Sequence, residues 1–426
     1  MDVGDARPIK QHPYRMNPIK EKILNDEVDY MLKHDIIEPS KSSWSSPCIL
    51  VKKPNGSHRF VTDFRKVNSV TKPDCYPIPR LLDCIDRIGN AKYVSTFDCL
   101  KGYYQVPLTD RAREISVVCP PRGLWQYKVA PFGMRNSGAT FQRLINQVTV
   151  DLENTEAYVD DVATWGNSWQ EHLQCIRKFF IKMKSANLGI NLVKSNFGKS
   201  HVLYLGHEVG NGTVKPNMAK ISVMACFPPP SDRKAVMRFL GMVGFFRRFC
   251  KNFAEVTAPL TSLLKKDAKF IWSNLEQNAF ENIKAMLVCE PVLRAPNFAL
   301  PFQLTVDAST IGIGAVLTQA DDNGIEHPVS YFSKKLDKHQ KNYSVVELEA
   351  LSLLTALRHY DVYINSSEHV TIVYTDDNPL VFVHRMKTDN QRLLRWSLAL
   401  QEFNIEIRHI KGSENVVDDC LSRDSF

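Results

Sequence analysis

Two adjacent carboxylates break an apolar run in this sequence. The segment Ala157-Tyr158-Val159-Asp160-Asp161-Val162-Ala163 otherwise reads as a β-strand. Side by side among apolar neighbours, Asp160 and Asp161 repel each other and lose solvation. A divalent cation would offset both costs. Upstream, Tyr93-Val94-Ser95-Thr96-Phe97-Asp98 also reads as a strand, with Val94, Thr96 and Asp98 on one face and Ser95 and Phe97 on the other. Asp98 thus ends a strand beside a Gly-Tyr-Tyr turn. Three aspartates converging on two metal ions is what in-line phosphoryl transfer needs: one ion activates the attacking hydroxyl and the other stabilises the leaving oxygen. The plain alternative is a solvated Asp-Asp hairpin turn and an unrelated strand end. The pair alone favours that alternative, and the surrounding motifs reverse the preference.

The chain has 426 residues, enough for about two or three domains with several cores. Hydrophobic residues at 44% and charged residues at 23% exclude overall disorder. Lys and Arg number 54 against 46 Asp and Glu, and the resulting +8 suits a polyanionic partner. None of the ten cysteines forms a CxxC pair, so a zinc ribbon or redox motif is not expected. Nor does a chain this long need a disulfide framework, and a reducing compartment fits better. Residues 1–11 lack the apolar core of a signal peptide, and the longest strongly apolar stretch, around 239–246, is too short to span a bilayer. The expectation is a soluble, intracellular protein with no membrane partner.

Residues 1–17 read as an extended arm, and Pro18 opens a helix with Ile23, Val28, Met31 and Leu32 at helical spacing. Residues 47–64 read as a β-hairpin turning at Pro54-Asn55-Gly56. The run Phe227-Pro228-Pro229-Pro230-Ser231 marks a boundary. Beyond it, 232–290 is mostly helical, with Phe239, Val243 and Phe246 on one stripe and Phe280, Ile283 and Leu287 on another. From Pro301 the pattern is βββαβαβα. Asp307 ends the first of these strands. Glu349 lies four residues before Leu353, on the inward stripe of a helix, where a carboxylate is costly unless something binds it. Asp376 ends another strand, and Asp418-Asp419 lie in the opening of a final helix.

Five motifs in order carry a resemblance to reverse transcriptases. Tyr158-Val159-Asp160-Asp161 resembles their signature, and residues 50–65 resemble the fingers hairpin. Phe97-Asp98 through Gln105 resembles the first catalytic motif. Pro131-Phe132-Gly133 through Gln142 resembles the motif behind the incoming nucleotide, and Tyr204-Leu205-Gly206-His207 resembles the primer grip. With Phe239-Leu240-Gly241 and Phe245-Phe246-Arg247-Arg248-Phe249 in the connecting piece, the chain is most similar to gypsy-type LTR retrotransposons (Metaviridae). The resemblance implies that Asp98, Asp160 and Asp161 hold two Mg²⁺, with Mn²⁺ able to replace it. It implies that Tyr103 excludes a ribose 2′-OH, that Lys52 and Arg59 neutralise the triphosphate, that Phe132 lies beneath the nucleotide, and that Lys194 protonates the leaving pyrophosphate. Their plain readings are a solvated basic hairpin, core packing and a solvated lysine. Cys99-Leu100-Lys101 stands where Leu-x-Ser is common, Ser137-Gly138 replaces Ala-Pro, and Val162-Ala163-Thr164 replaces a more hydrophobic run. No departure removes a metal ligand.

The C-terminal pattern resembles ribonuclease H. The resemblance implies a second two-metal site at Asp307, Glu349, Asp376 and Asp419, with His409 as a loop histidine; Glu347 and Asp418 compete with Glu349 and Asp419. Asp377 stands where the family has a histidine. The implied fold is α/β and α+β: a fingers–palm–thumb polymerase over 1–215, a helical thumb and connection over 216–298, and a ribonuclease H-like domain over 299–426. The implied activity is RNA- and DNA-directed DNA synthesis with cleavage of RNA in RNA–DNA hybrids. RNA template, DNA primer and dNTPs are the expected partners, in cytoplasmic retroelement particles. A homodimer is compatible with this, as is a parent Pol polyprotein that supplies protease and integrase for DNA integration. The rival readings are a non-catalytic nucleic-acid-binding relic and an enzyme active only as ribonuclease H.

Overall fold

The computed structural model describes residues 2–52, 56, 58–266, 268–289, 291–375 and 390–410. Contacts divide the chain into two compact units, residues 1–84 with 91–202 and residues 85–90 with 203–426. The sequence-derived limits at 215 and 298 do not coincide with that division. The helical region and the C-terminal domain share the second unit, which also takes up the end of the helix Leu81–Ile88.

In the first unit, the helix Pro18–Lys33 starts at its expected place. Pro18 occupies the first turn, and Asn17 Oδ1 accepts from the Lys20 N–H at 2.8 Å. Its buried stripe is Leu24, Val28 and Met31, with Leu24 in the place of the expected Ile23. These side chains join Ile37, Trp44, Phe64 and Tyr127 in one core. The strands Cys48–Lys52 and His58–Thr62 pair as the expected antiparallel hairpin. A second core lies under a four-stranded antiparallel sheet, in the order Thr155–Tyr158, Asp161–Gly166, Tyr93–Cys99, Ile190–Lys199. The helices Ser137–Thr149 and Trp169–Ser185 pack on it through Phe141, Ile145, Phe179 and Met183. A reciprocal Ser168–Glu171 cap starts the second helix. Phe97 is buried 4.8 Å from Phe179, and a ring so buried stabilises by roughly 1.5–3 kcal/mol. That core fixes the strand carrying Asp98.

In the second unit, 227–231 form neither helix nor strand, as the proline run requires. The helices Arg233–Val243 and Asn274–Val288 meet through Phe239 and Phe280, 4.6 Å apart. Arg248 and Asp86, both nearly fully buried, pair at 3.3 Å, and the Tyr363 hydroxyl donates to the same carboxylate. This pair ties residues 85–88 to the rest of the unit. Breaking one partner of such a buried pair typically costs about 3–5 kcal/mol.

His207 is buried among Phe245, Phe246 and Phe249, at centroid distances of 5.2, 5.6 and 5.7 Å. Burial, reinforced by the Arg248 charge, pushes its pKa down to about 4. The unfolded chain therefore binds a proton at this site between about pH 6.5 and 4 that the folded chain refuses. Stability contributed here is present above pH 6.5 and lost as pH falls towards 4. The unfolding midpoint is expected to drop across that window, less steeply in His207→Phe. An unchanged slope in the variant would refute the assignment.

The C-terminal domain has a five-stranded sheet in the order Glu326–Lys335, Gly312–Ala320, Gln303–Ala308, Thr371–Thr375, Ile405–His409. The first three strands are antiparallel and the last two join parallel. The helix Val345–His359 covers one face, packing Leu353 and Leu357 with Leu304, Val306 and Leu317. The expected strand and helix order holds as far as residue 410. Residues 411–426, where a final helix with Asp418 and Asp419 is expected, lie outside the described residues.

Candidate active sites

Asp98 and Asp161 are direct cross-strand partners at the end of the sheet in the first unit. Asp160 occupies the turn between Tyr158 and Asp161, and its carbonyl accepts from the Cys99 N–H at 3.0 Å. Asp98 and the sequence-distant pair Asp160-Asp161 therefore share one strand end. Asp161 is exposed at the surface, yet desolvation by the protein around the strand end, followed by the charges of Asp160 and Asp98, raises its pKa to about 6, and Lys194 opposes that rise. Burial and the same three carboxylates push the Cys99 thiol up to about 12. The Lys194 ammonium reaches Asp98 at 3.1 and 3.4 Å, which places a cation against this concentration of negative charge. Among the described residues, no three His, Cys, Asp or Glu side chains already close around one point. The trio is a set of hard oxygen donors that fits Mg²⁺ without forming a finished coordination shell.

The turn is held by a residue to which sequence reasoning assigned no role. Val159 has φ +54, costly for a β-branched residue. Its N–H donates to Gln142 Oε1 at 2.6 Å, and Gln142 Nε2 donates to the Ala157 carbonyl at 2.8 Å. Gln142 is fully buried on the helix Ser137–Thr149. Gln142→Leu is expected to lower the kcat of DNA synthesis about 10–100-fold, with dNTP KM little changed and hybrid cleavage intact. It should also destabilise the first unit by roughly 1–3 kcal/mol. Full activity in the variant would refute this positioning role. The only sequence signal was the place of Gln142 at the end of its motif.

Tyr103 stands in the short helix Gly102–Gln105, its ring edge-on to Phe132 at 5.1 Å and to Phe141 at 5.8 Å. Phe132 also meets Tyr104 at 5.3 Å but is 40% exposed, so it forms a platform open to solvent rather than a piece of core. Gly138, one of the departures, lies below Tyr103: a Cβ there would be 3.7 Å from the hydroxyl. Lys52 and Arg59 are both exposed. Their ladder partners are His58 and Val51, so regular alternation sends them to opposite faces of the hairpin. The hairpin alone does not bring these two together.

In the C-terminal domain, Asp307 is exposed in the strand Gln303–Ala308. Glu349 is buried on the helix Val345–His359. Three residues further on, Ser352 Oγ donates to the Asp307 carbonyl at 3.1 Å, which brings this helix turn to the strand end. Glu347 is occupied otherwise. It forms a reciprocal cap with Ser344 and accepts from Arg392 at 2.9 Å and Asn390 at 3.1 Å. That structural use favours Glu349 over Glu347. His409 ends an exposed strand edge opposite Thr375. Asp376, Asp377 and Asp419 lie outside the described residues.

Residues 51–209 match the family model described as reverse transcriptase (RNA-dependent DNA polymerase). Residues 297–403 match that of the RNase H-like domain found in reverse transcriptase. The Retrovirus-related Pol polyprotein from transposon 297 of Drosophila melanogaster is 36% identical over 98% of this chain and 39% of its own length. That from transposon opus of the same species is 34% identical over 97% of this chain and 43% of its length. The Transposon Tf2-3 polyprotein of Schizosaccharomyces pombe is 34% identical over 98% of this chain and 31% of its length. The chain thus spans less than half of each relative. A foamy viral protease-reverse transcriptase in complex with double-stranded DNA superposes with a TM-score of 0.85 at 22% identity, covering 96% of this chain and 86% of that one. Its complex with RNA/DNA hybrid gives 0.79 at 21% identity, covering 96% of this chain and 56% of that one. At such identity the likeness concerns the fold, and it bears out the multidomain α/β and α+β architecture. With both family models matched in order on that fold, the chain carries a reverse transcriptase domain followed by the RNase H-like domain found in reverse transcriptases, and it is similar along nearly its whole length to retrotransposon Pol polyproteins.

Proposed function

We propose that this chain copies RNA and DNA templates into DNA and degrades the RNA strand of the hybrid, as part of a gypsy-type Pol polyprotein. The observation that carries the polymerase reading is the cross-strand pairing of Asp98 with Asp161, with Asp160 tied to the same strand end. Asp98, Asp160 and Asp161 would hold two Mg²⁺, or Mn²⁺ in its place. Bound there, the ions would supply a deprotonated primer hydroxyl and charge stabilisation for the leaving pyrophosphate. Tyr103 closes the space a ribose 2′-OH would need, resting on Phe132 and Phe141. Phe132 offers an exposed ring to the nucleotide. Lys194 releases Asp98 as cations enter and becomes free to protonate pyrophosphate. Lys52 and Arg59 contact the triphosphate, with the fingers bent or the two residues acting on different phosphates.

In the second site, Asp307 and Glu349 would hold a second pair of ions together with Asp376 and Asp419, and His409 would assist the cleavage. The substrates are RNA template, DNA primer, RNA–DNA hybrid and dNTPs. Phosphate contacts would dominate template affinity and make it salt-sensitive. Protease and integrase come from the rest of the polyprotein. The reaction takes place in cytoplasmic retroelement particles, where a homodimer can form. Extension of a DNA primer on labelled RNA, with both strands followed on one gel, tests the proposal. Binding with neither reaction in Mg²⁺ or Mn²⁺ would leave the non-catalytic reading, and cleavage without extension would leave the ribonuclease-only reading.

A further inference from the structure

The segment 250–256, which belongs to the connection by sequence, docks beside Asp307. Ala254 N–H donates to Ser333 Oγ at 2.9 Å and so fixes the segment on the strand Glu326–Lys335. Asp307 and Gly314 are direct cross-strand partners, so their side-chain positions point to the same face. Gly314 leaves its position empty, and Asn252 fills it: a Cβ on Gly314 would lie 2.7 Å from Asn252 Oδ1. Asn252, Glu255, Asp307, Ser309 and Ser333 line one recess of about 10 Å³, room for a single water-sized group. Asn252 has φ +49 and precedes the short helix Phe253–Val256, yet its side chain does not cap that helix. Its carboxamide makes no side-chain hydrogen bond among the described residues. Lys251, partly buried, lies in the field of Asp307.

A carboxamide offers one donor group and one acceptor. A phosphate needs donors only and would leave the acceptor of the carboxamide unused. A hydroxyl both donates and accepts, and the ribose 2′-OH is the hydroxyl that separates RNA from DNA. We propose that Asn252 is a specificity-determining residue of the ribonuclease H centre, its carboxamide hydrogen-bonding a 2′-OH of the RNA strand seated at Asp307, with Lys251 on the adjoining phosphate. This rests on the ribonuclease reading of Asp307 given above.

Asn252→Gly tests it, because glycine keeps φ +49 without strain while the carboxamide is lost. Hybrid cleavage kcat/KM is expected to fall about tenfold, the value of one good hydrogen bond. A hybrid with a single deoxyribose at the contacted position should show the same loss with the unmodified chain and no further loss with Asn252→Gly. Gly314→Ala, whose Cβ pushes Oδ1 aside while residue 252 stays an asparagine, should reproduce the defect. Unchanged cleavage by Asn252→Gly, or losses that multiply at every deoxyribose position, would overturn the proposal. Should the unmodified chain cleave no hybrid, the ribonuclease reading fails separately. The proposal is then decided by binding in EDTA: the single 2′-OH must strengthen hybrid affinity in the unmodified chain and not in Asn252→Gly, and equal affinities refute it.

Discussion

Asp160→Asn is expected to lower DNA synthesis on the order of 10³-fold or more while RNA cleavage in a hybrid continues at its normal rate. The size of the loss follows from the chemistry. Holding a divalent ion at the reacting oxygens is worth several kcal/mol of transition-state stabilisation, and each 1.36 kcal/mol is about tenfold in rate. Asn keeps the shape of Asp, so the carbonyl that accepts from Cys99 N–H and the hairpin pairing of Tyr158 with Asp161 remain. Folding should be undisturbed or slightly improved, because one of three mutually repelling charges is gone. Single-turnover primer extension measures the rate, and thermal unfolding measures the fold. Extension at the unmodified rate would remove Asp160 from the reaction.

Glu349→Gln is expected to do the reverse, with cleavage of the RNA strand lost by on the order of 10³-fold and DNA synthesis unchanged. Glu349 is buried on the helix Val345–His359, where an ionised carboxylate is expensive and a neutral amide is less so. Lost activity with stability held or gained is the signature of a residue retained for chemistry rather than folding. Glu347→Gln provides the contrast. Its carboxylate caps the helix through Ser344 and pairs with Arg392, so the change should cost roughly 0.5–2 kcal/mol and leave most of the cleavage. Loss of cleavage in Glu347→Gln with activity retained in Glu349→Gln would exchange the two assignments.

Features that depend on neighbours in sequence were legible before any coordinates. Pro18 opens its helix where the sequence placed it, while the caps formed by Asn17, by Ser168 with Glu171 and by Ser344 with Glu347 were found only in the structure. The strand Tyr93–Cys99 forms as expected but is buried on both faces, whereas the helical stripes of Phe239 and Phe280 were correct because their periodicity encodes which face is buried. In the first helix Val28 and Met31 are buried as expected, but Leu24 takes the place of Ile23, because two adjacent apolar residues leave the choice between them open. The division of the chain by contacts was not legible, since residues 85–90 are committed by their long-range pairing with Arg248 and Tyr363.

The sequence by itself determined the family, through five motifs in order together with the connecting piece, and it suggested both candidate chemistries. The buried carboxylate of Glu349 is the costly one, whereas Asp161 and Asp307 are exposed and are marked by their place in the motifs. What tertiary structure alone decided is what holds and surrounds those acids. Gln142 grips the strained Val159 turn, Lys194 reaches Asp98, and Asn252 enters the space that Gly314 leaves beside Asp307. A carboxamide or an ammonium carries no periodic signal. Its role is set by the polar partner that packing brings within about 3 Å, often from a segment many residues away, and only the folded chain specifies that partner.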